Sequence, residues 1–287
     1  MSENIPIRAQ SSRFPDERHL QPGTHILATA MKSTFLWLSI SLLCALQLAC
    51  ATGSSKEPQA APGGTVSQLA SVNAQLGLGY LRNGQLDLAW ERLNAALIAD
   101  PDYATAHNGI ALVYNRLNES EKAEEHFKRA IELNPSDSAA QTNYGAFLCK
   151  HGRIDDGEKY FLKAVENPLY KKPAMAYTNA GVCKLRADDP SGAEIYFRAA
   201  LRADPRFPVA LVNMAELSFD GSRYLPARAY MERYEEVSKH NSRSLWLGIR
   251  IEDKLGDKDA VSSFAMLLKA NYPDSRETQM LLESGLR

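Results

Sequence analysis

Small and aromatic residues recur along this chain at a spacing of 34: Gly77, Tyr80, Ala89 and Pro101 are followed 34 positions later by Ala111, Tyr114, Ala123 and Pro135. Within each period the apolar positions stand three or four apart, as in Ala89, Leu93, Ala96 and their counterparts Ala123, Phe127, Ala130. That spacing puts them on one face of a helix and does not suit a strand. Each period is interrupted twice. Asn83-Gly84, His151-Gly152 and Leu255-Gly256 read as tight turns between two helices. Asp100-Pro101, Asn134-Pro135 and Asp204-Pro205 stand where the second helix must stop, because the residue before a proline is pushed out of the helical region. The pattern therefore predicts two antiparallel helices, A and B, in every 34 residues.

The same frame continues through Gly145, Gly157, Phe161 and Ala164, shifts by a two-residue insertion within Asn167 to Lys172, and resumes at Gly181, Ala193, Phe197, Ala200 and Pro205. A fifth unit carries Ala215, Ala227 and Met231, and a sixth Gly248, Ala260 and Phe264. Small residues at the eighth and twentieth positions let the two helices of a pair approach closely. This pattern resembles the tetratricopeptide (TPR) repeat. The expected fold is all-α: a right-handed TPR superhelix of about six helix-turn-helix repeats (70–103, 104–137, 138–173, 174–207, 208–240 and 241–273) ending in a capping helix over 274–287. Stacked pairs share one continuous core, and the terminal unit needs a cover.

The N-terminal part reads differently. Lys32 precedes a 14-residue apolar run, Phe35 to Leu48, which ends in small residues around Cys50. It is short for a bilayer span, and its order of charge, apolar run and small-residue exit is that of a secretory signal over 31–49. Residues 1–30 are expected to be an unstructured or non-native extension, with Met31 as the true start. Leu48-Ala49-Cys50 resembles the bacterial lipobox, which implies that Cys50 is acylated and anchors the chain. Ala49-Cys50-Ala51 alternatively reads as an ordinary cleavage site that releases a soluble periplasmic protein. A Ser/Pro/Gly/Ala-rich tether follows, and residues 50–68 are expected to form the anchor and a flexible linker.

Charge and chemistry narrow the function by exclusion. The 33 basic and 34 acidic side chains balance to a net charge of −1, which offers nothing to nucleic acid. None of the four cysteines has a metal-ligand spacing. No cofactor, metal or small-molecule substrate is expected, and no catalytic set assembles. Cys149-Lys150-His151 is the one suggestive cluster, and it sits at a helix end. His107 and His126 fall on different helices without a supporting carboxylate spacing. Tyr80, Leu81, Trp90 and Tyr114 make the first units rich in large apolar side chains, mostly at core positions of the frame. Tyr170-Lys171-Lys172-Pro173 marks an exposed insertion, solvated by default.

Asn143, Asn179 and Asn213 occupy the sixth position of units three to five, which in TPR helices faces the concave groove. Their amides could pair with an extended peptide or with the preceding unit. Cys149 and Cys183 lie 34 residues apart on neighbouring A helices, where a disulfide is expected in an oxidising compartment. Two separate buried thiols are the alternative.

Asn143-Tyr144-Gly145-Ala146-Phe147-Leu148-Cys149 with Gly152, and Tyr177-Thr178-Asn179-Ala180-Gly181-Val182-Cys183, go beyond what the repeat dictates. Together with the acylatable cysteine and tether they make the chain similar to the type IV pilus biogenesis/stability lipoproteins of the PilF/PilW type. That resemblance implies an outer-membrane pilotin facing the periplasm. Such a protein is not an enzyme; it binds the secretin subunit of the pilus and promotes its localisation and multimerisation. A periplasmic TPR adaptor lipoprotein that organises cell-wall enzymes is the other expectation.

Overall fold

The structure, a computed structural model, describes residues 62–286, and these fold into thirteen α-helices. The first three pairs are α1 (Pro62–Arg82) with α2 (Leu86–Ala99), α3 (Ala104–Arg116) with α4 (Ser120–Leu133), and α5 (Ser138–Lys150) with α6 (Ile154–Glu166). They are followed by α7 (Pro173–Arg186) with α8 (Pro190–Ala203), α9 (Pro208–Asp220) with α10 (Tyr224–Glu235), α11 (Ser242–Leu255) with α12 (Lys258–Asn271), and a last helix α13 (Arg276–Ser284). The all-α TPR superhelix read from the periodicity is the fold observed. One boundary differs. The flexible segment expected through residue 68 is helical from Pro62 onward, because no pair precedes α1 among the described residues to require a turn there, and proline suits the first helical position.

The turn inside every pair uses the same backbone conformation. Gly84, Asn118, Gly152, Asp188, Ser222 and Gly256 all have φ between 55° and 79°, and they hold the same place in successive units. Glycine enters that left-handed region freely, and Asn or Asp does so at modest cost. Three of the six turns thus carry no glycine to mark them in the sequence.

The core is a row of slabs, most of them built around the B helix of one pair with the A helices of its own pair and the next. Leu93 and Ala96 of α2 pack with Ala106, Ile110 and Val113 of α3; Ala123 and Phe127 of α4 pack with Tyr144, Phe147 and Leu148 of α5. At the far end Leu281 of α13 is buried against Leu245, Ile249 and Leu268, so the C-terminal pair is covered.

A charged ladder also ties successive units, at one position shared by α4, α6, α8 and α10. Glu124 accepts from Arg153 (2.8 Å) and from the Tyr144 hydroxyl (2.9 Å). Glu158 is paired with Lys184 at 2.6 Å and accepts from the Tyr196 hydroxyl, and Glu194 takes both Arg223 nitrogens at 3.0 and 3.1 Å. Burial pushes the Glu124 carboxyl up, but hydrogen bonds from Lys128, Arg153 and Tyr144 outweigh it and hold the group at about 2. The polarity reverses at the junction between units five and six, where Arg228 donates through Nε to Glu252 at 3.0 Å and also reaches Asp257. A unit placed at the wrong junction would set like charges together, so the ladder favours one order of stacking.

Candidate partner-binding surface

The two ends of the array differ in how they are finished. On α1, Ala70, Ala74 and Leu81 are buried against α2. Leu69, Val72 and Leu76 lie on the other side of that helix and are 55%, 49% and 47% exposed. The frame counterparts of Val72 and Leu76 are buried in the following units. The position of Val72 is taken by Ala106, Ala140, Ala176 and Ala210 in units two to five, all at 0%, and that of Leu76 by Ile110, Tyr144, Ala180 and Met214, at 1–2%. There the preceding pair covers them; α1 has no preceding pair among the described residues. The result is an apolar strip on a helix with no acidic residue in its first turn and Arg82 as its basic end. Completing the burial of these three side chains is worth on the order of 1 kcal/mol each.

Beside the strip the first two units are packed with large side chains. Leu81 is buried, while Tyr80, Trp90 and Tyr114 are partly buried against the same cluster, and the Trp90 indole donates to the Tyr114 hydroxyl at 3.4 Å. The sequence frame places these residues correctly. It does not reveal the strip, because only burial distinguishes Val72 and Leu76 from their equivalents.

The asparagines point to different partners. Asn143 donates through Nδ2 to Oδ1 of the buried Asn108 at 3.1 Å, which links units two and three. Asn213 donates to the Val209 carbonyl one turn back on its own helix at 2.7 Å. Asn179 makes no side-chain hydrogen bond among the described residues. Asn108, one place out of register with the others, has no signal in the frame.

Cys149 and Cys183 are bonded to each other, with Cα atoms 5.6 Å apart, and the bond is buried beside Phe161 and Ala180. The neighbours of Cys149 turn elsewhere: Lys150 donates to the Oδ1 and carbonyl of Asn115 at 3.0 and 3.3 Å. His151 lies against the Phe147 ring at 4.4 Å. Cys50 and the signal lie outside the described residues. Among those residues no group of three or more His, Cys, Asp or Glu side chains is placed to hold a metal ion, and no helix is long and apolar enough to cross a membrane.

His107 and His126 do meet across α3 and α4, with their Nδ1 atoms 2.9 Å apart. The second nitrogen of His107 is 3.0 Å from the Pro101 carbonyl, which can only accept, so Nε2 carries the proton and the neutral ring accepts at Nδ1. His126 must then donate from Nδ1. Burial, with the neighbouring His107, holds the His126 pKa below its ordinary 6.5. The unfolded chain therefore takes up this proton first. Stability is complete above about pH 6.5 and falls as the pH drops below it. Urea midpoints measured from pH 7.5 to 5 are expected to decline in the wild type and to flatten in His126→Gln.

Comparison with known proteins agrees with this architecture. Tetratricopeptide-repeat family models match residues 75–138 and 145–208, and a further one matches 126–159. The type IV pilus assembly protein PilF of Pseudomonas aeruginosa is 32% identical over 230 residues, 80% of this chain and 91% of that relative. The solved structure of Pseudomonas aeruginosa PilF superposes with a TM-score of 0.67 at 31% identity, covering 77% of this chain and 99% of the other. That of PilW, described as a widely conserved type IV pilus biogenesis factor, gives a TM-score of 0.67 at 31% identity over 75% and 99%. The chain belongs to the PilF/PilW family of tetratricopeptide-repeat proteins.

Proposed function

We propose that the protein is a pilotin of type IV pilus biogenesis, anchored by an acylated Cys50 in the outer membrane on its periplasmic side. It captures the secretin subunit on the open face of its first unit and promotes secretin multimerisation. The likeness to PilF over nearly the whole of that relative supports the process. The observation that carries the site is the uncovered strip of Leu69, Val72 and Leu76, which completes its core when an apolar partner helix takes the place of a preceding B helix. Anchoring joins capture to membrane delivery, because a tethered scaffold meets its partner at high effective concentration.

The test compares four strains of a piliated Gram-negative host: wild type, a deletion, Cys50→Ala and Leu69→Asp/Val72→Asp/Leu76→Asp. Acylation, membrane fraction and heat-resistant secretin multimers are measured in each. Cys50→Ala is expected to lose lipid, membrane retention and multimers together. The triple variant should keep lipid, helical content and membrane retention while losing the multimers. Multimers that survive the deletion would reject the secretin assignment; multimers that survive only the triple variant would move the binding surface elsewhere on the array.

A further inference from the structure

The connections from each B helix to the next A helix all lie on the edge of the array where α1 begins, because the helices of every pair are antiparallel. Four of them are turns of four residues, at 100–103, 134–137, 204–207 and 272–275. The connections from α6 to α7, Asn167 to Lys172, and from α10 to α11, Glu236 to Asn241, have six each, and the first of them projects outward. Its extra length is not slack. Asn167 donates through Nδ2 to the Ser136 carbonyl and to Ser138 Oγ, both at 3.2 Å, and its Oδ1 accepts from the Leu169 amide at 3.0 Å. The Tyr170 hydroxyl, half buried, reaches Thr142 Oγ1 at 3.2 Å. Held in this way, the loop projects Leu169 into solvent at 82% exposure, the highest of the large apolar side chains among the described residues. Lys171 and Lys172 follow it, exposed and without an ion pair among the described residues.

We infer that this loop is a second membrane contact, in which Leu169 enters the interface of an anionic phospholipid surface and Lys171 and Lys172 meet its headgroup phosphates. The inference rests on the Cys50 anchor proposed above. One leucine and two lysines are far too little for a stable protein interface, which buries about 800 Å² per partner. They suit lipid, where an apolar tip with adjacent basic residues adds a weak signal to a covalent one. The geometry permits both contacts at once. Neighbouring A helices stack about 10 Å apart, which places α7 about 30 Å along the array from α1. The chain from Cys50 to Pro62, with 11 residues between them, reaches about 40 Å when extended. α1 begins on the loop's own edge. Docking there would fix how the array stands on the membrane and so which way the strip on α1 faces.

The test uses the mature chain from Cys50 carrying Leu169→Trp, coupled through the Cys50 thiol to a maleimide-bearing lipid in vesicles of phosphatidylethanolamine and phosphatidylglycerol. Cys149 and Cys183 are bonded to each other and Cys44 leaves with the signal, so Cys50 is the sole reactive thiol. Chemical coupling makes the result independent of acylation in cells, which is read separately by metabolic labelling of the wild type. Brominated lipid is expected to quench the introduced tryptophan beyond the Trp90 and Trp246 background measured with Leu169 retained. Lys171→Glu/Lys172→Glu added to it should lower the ratio of docked to undocked loop about thirtyfold or more. Absence of quenching on coupled vesicles, or quenching indifferent to the lysines, would overturn the inference. So would a blue shift of the introduced tryptophan's emission in the chain without vesicles, which would assign the loop to self-association.

Discussion

Gly157→Ala is expected to cost about 3 kcal/mol, at the upper end of what one added methyl does in a packed interior. Alanine is the ordinary residue at this place: Ala89, Ala123, Ala193 and Ala227 hold it in four other units, all fully buried. Unit three differs because its helices approach through two glycines and share the space with a sulfur. A Cβ on Gly157 would lie 2.7 Å from the Gly145 carbonyl oxygen and closer still to Cys149 Sγ. The carbonyl belongs to the α5 backbone, and the sulfur is fixed by its bond to Cys183. Neither can swing aside, so α5 and α6 must separate and loosen Phe161 between them. In a stacked array such damage stays local. Amide exchange should rise in α5, α6 and α7 while α11 to α13 stay protected. Removing both cysteines together should recover part of the loss, since one of the two clashes goes with them, and the cycle of variants would measure that coupling. Undiminished protection of α5 and α6 in Gly157→Ala would contradict the close approach.

What the sequence disclosed followed from how strictly each position is constrained. The close approach of paired helices admits only small residues, so the eighth and twentieth positions stand out and the array can be counted. The prolines that end α2, α4 and α8 are equally plain. Turn conformation was legible only where glycine took it, since Asn118, Asp188 and Ser222 adopt the same backbone with residues common in any loop. The Glu-to-Arg ladder was hidden for another reason. Its members are separated by about one repeat and look like ordinary surface charges until the stacking brings Glu194 to Arg223. The open face of α1 shows the same limit, because Leu76 satisfies the frame as well as Ile110 does and only the neighbour differs. The asparagines mark where residue type misleads. Three of them share a frame position, yet Asn143 bonds to Asn108 and Asn213 to its own helix, and hydrogen-bonding capacity alone does not choose between such partners.

The disulfide lies at a junction packed with smaller side chains than the junction before it. Between units two and three, α5 offers Tyr144, Phe147 and Leu148 to Phe127. Between units three and four, the buried residues of α7 are Ala174, Ala176, Thr178, Ala180, Gly181 and Cys183, and the cluster there gathers Phe161 with Ala180 and the two cysteines. Small side chains bury little area, so each contributes little. The same junction carries the insertion that shifts the 34-residue frame. Joining Cys149 to Cys183 closes a loop of about one repeat, worth about 3 to 4 kcal/mol on the chain-entropy account. It does so at a seam built largely of small side chains. Cys149→Ala/Cys183→Ala, or reduction of the wild type under mild denaturant, is therefore expected to divide one cooperative transition into two. Units four to six would part from units one to three at the lower denaturant concentration. Tryptophan emission offers a separate view of each side, since Trp90 lies in α2 and Trp246 in α11. Coincident transitions at both tryptophans in the reduced protein would show that the seam holds without the bond. If they separate, the bond between Cys149 and Cys183 sets whether the two parts of the array act as one rigid scaffold.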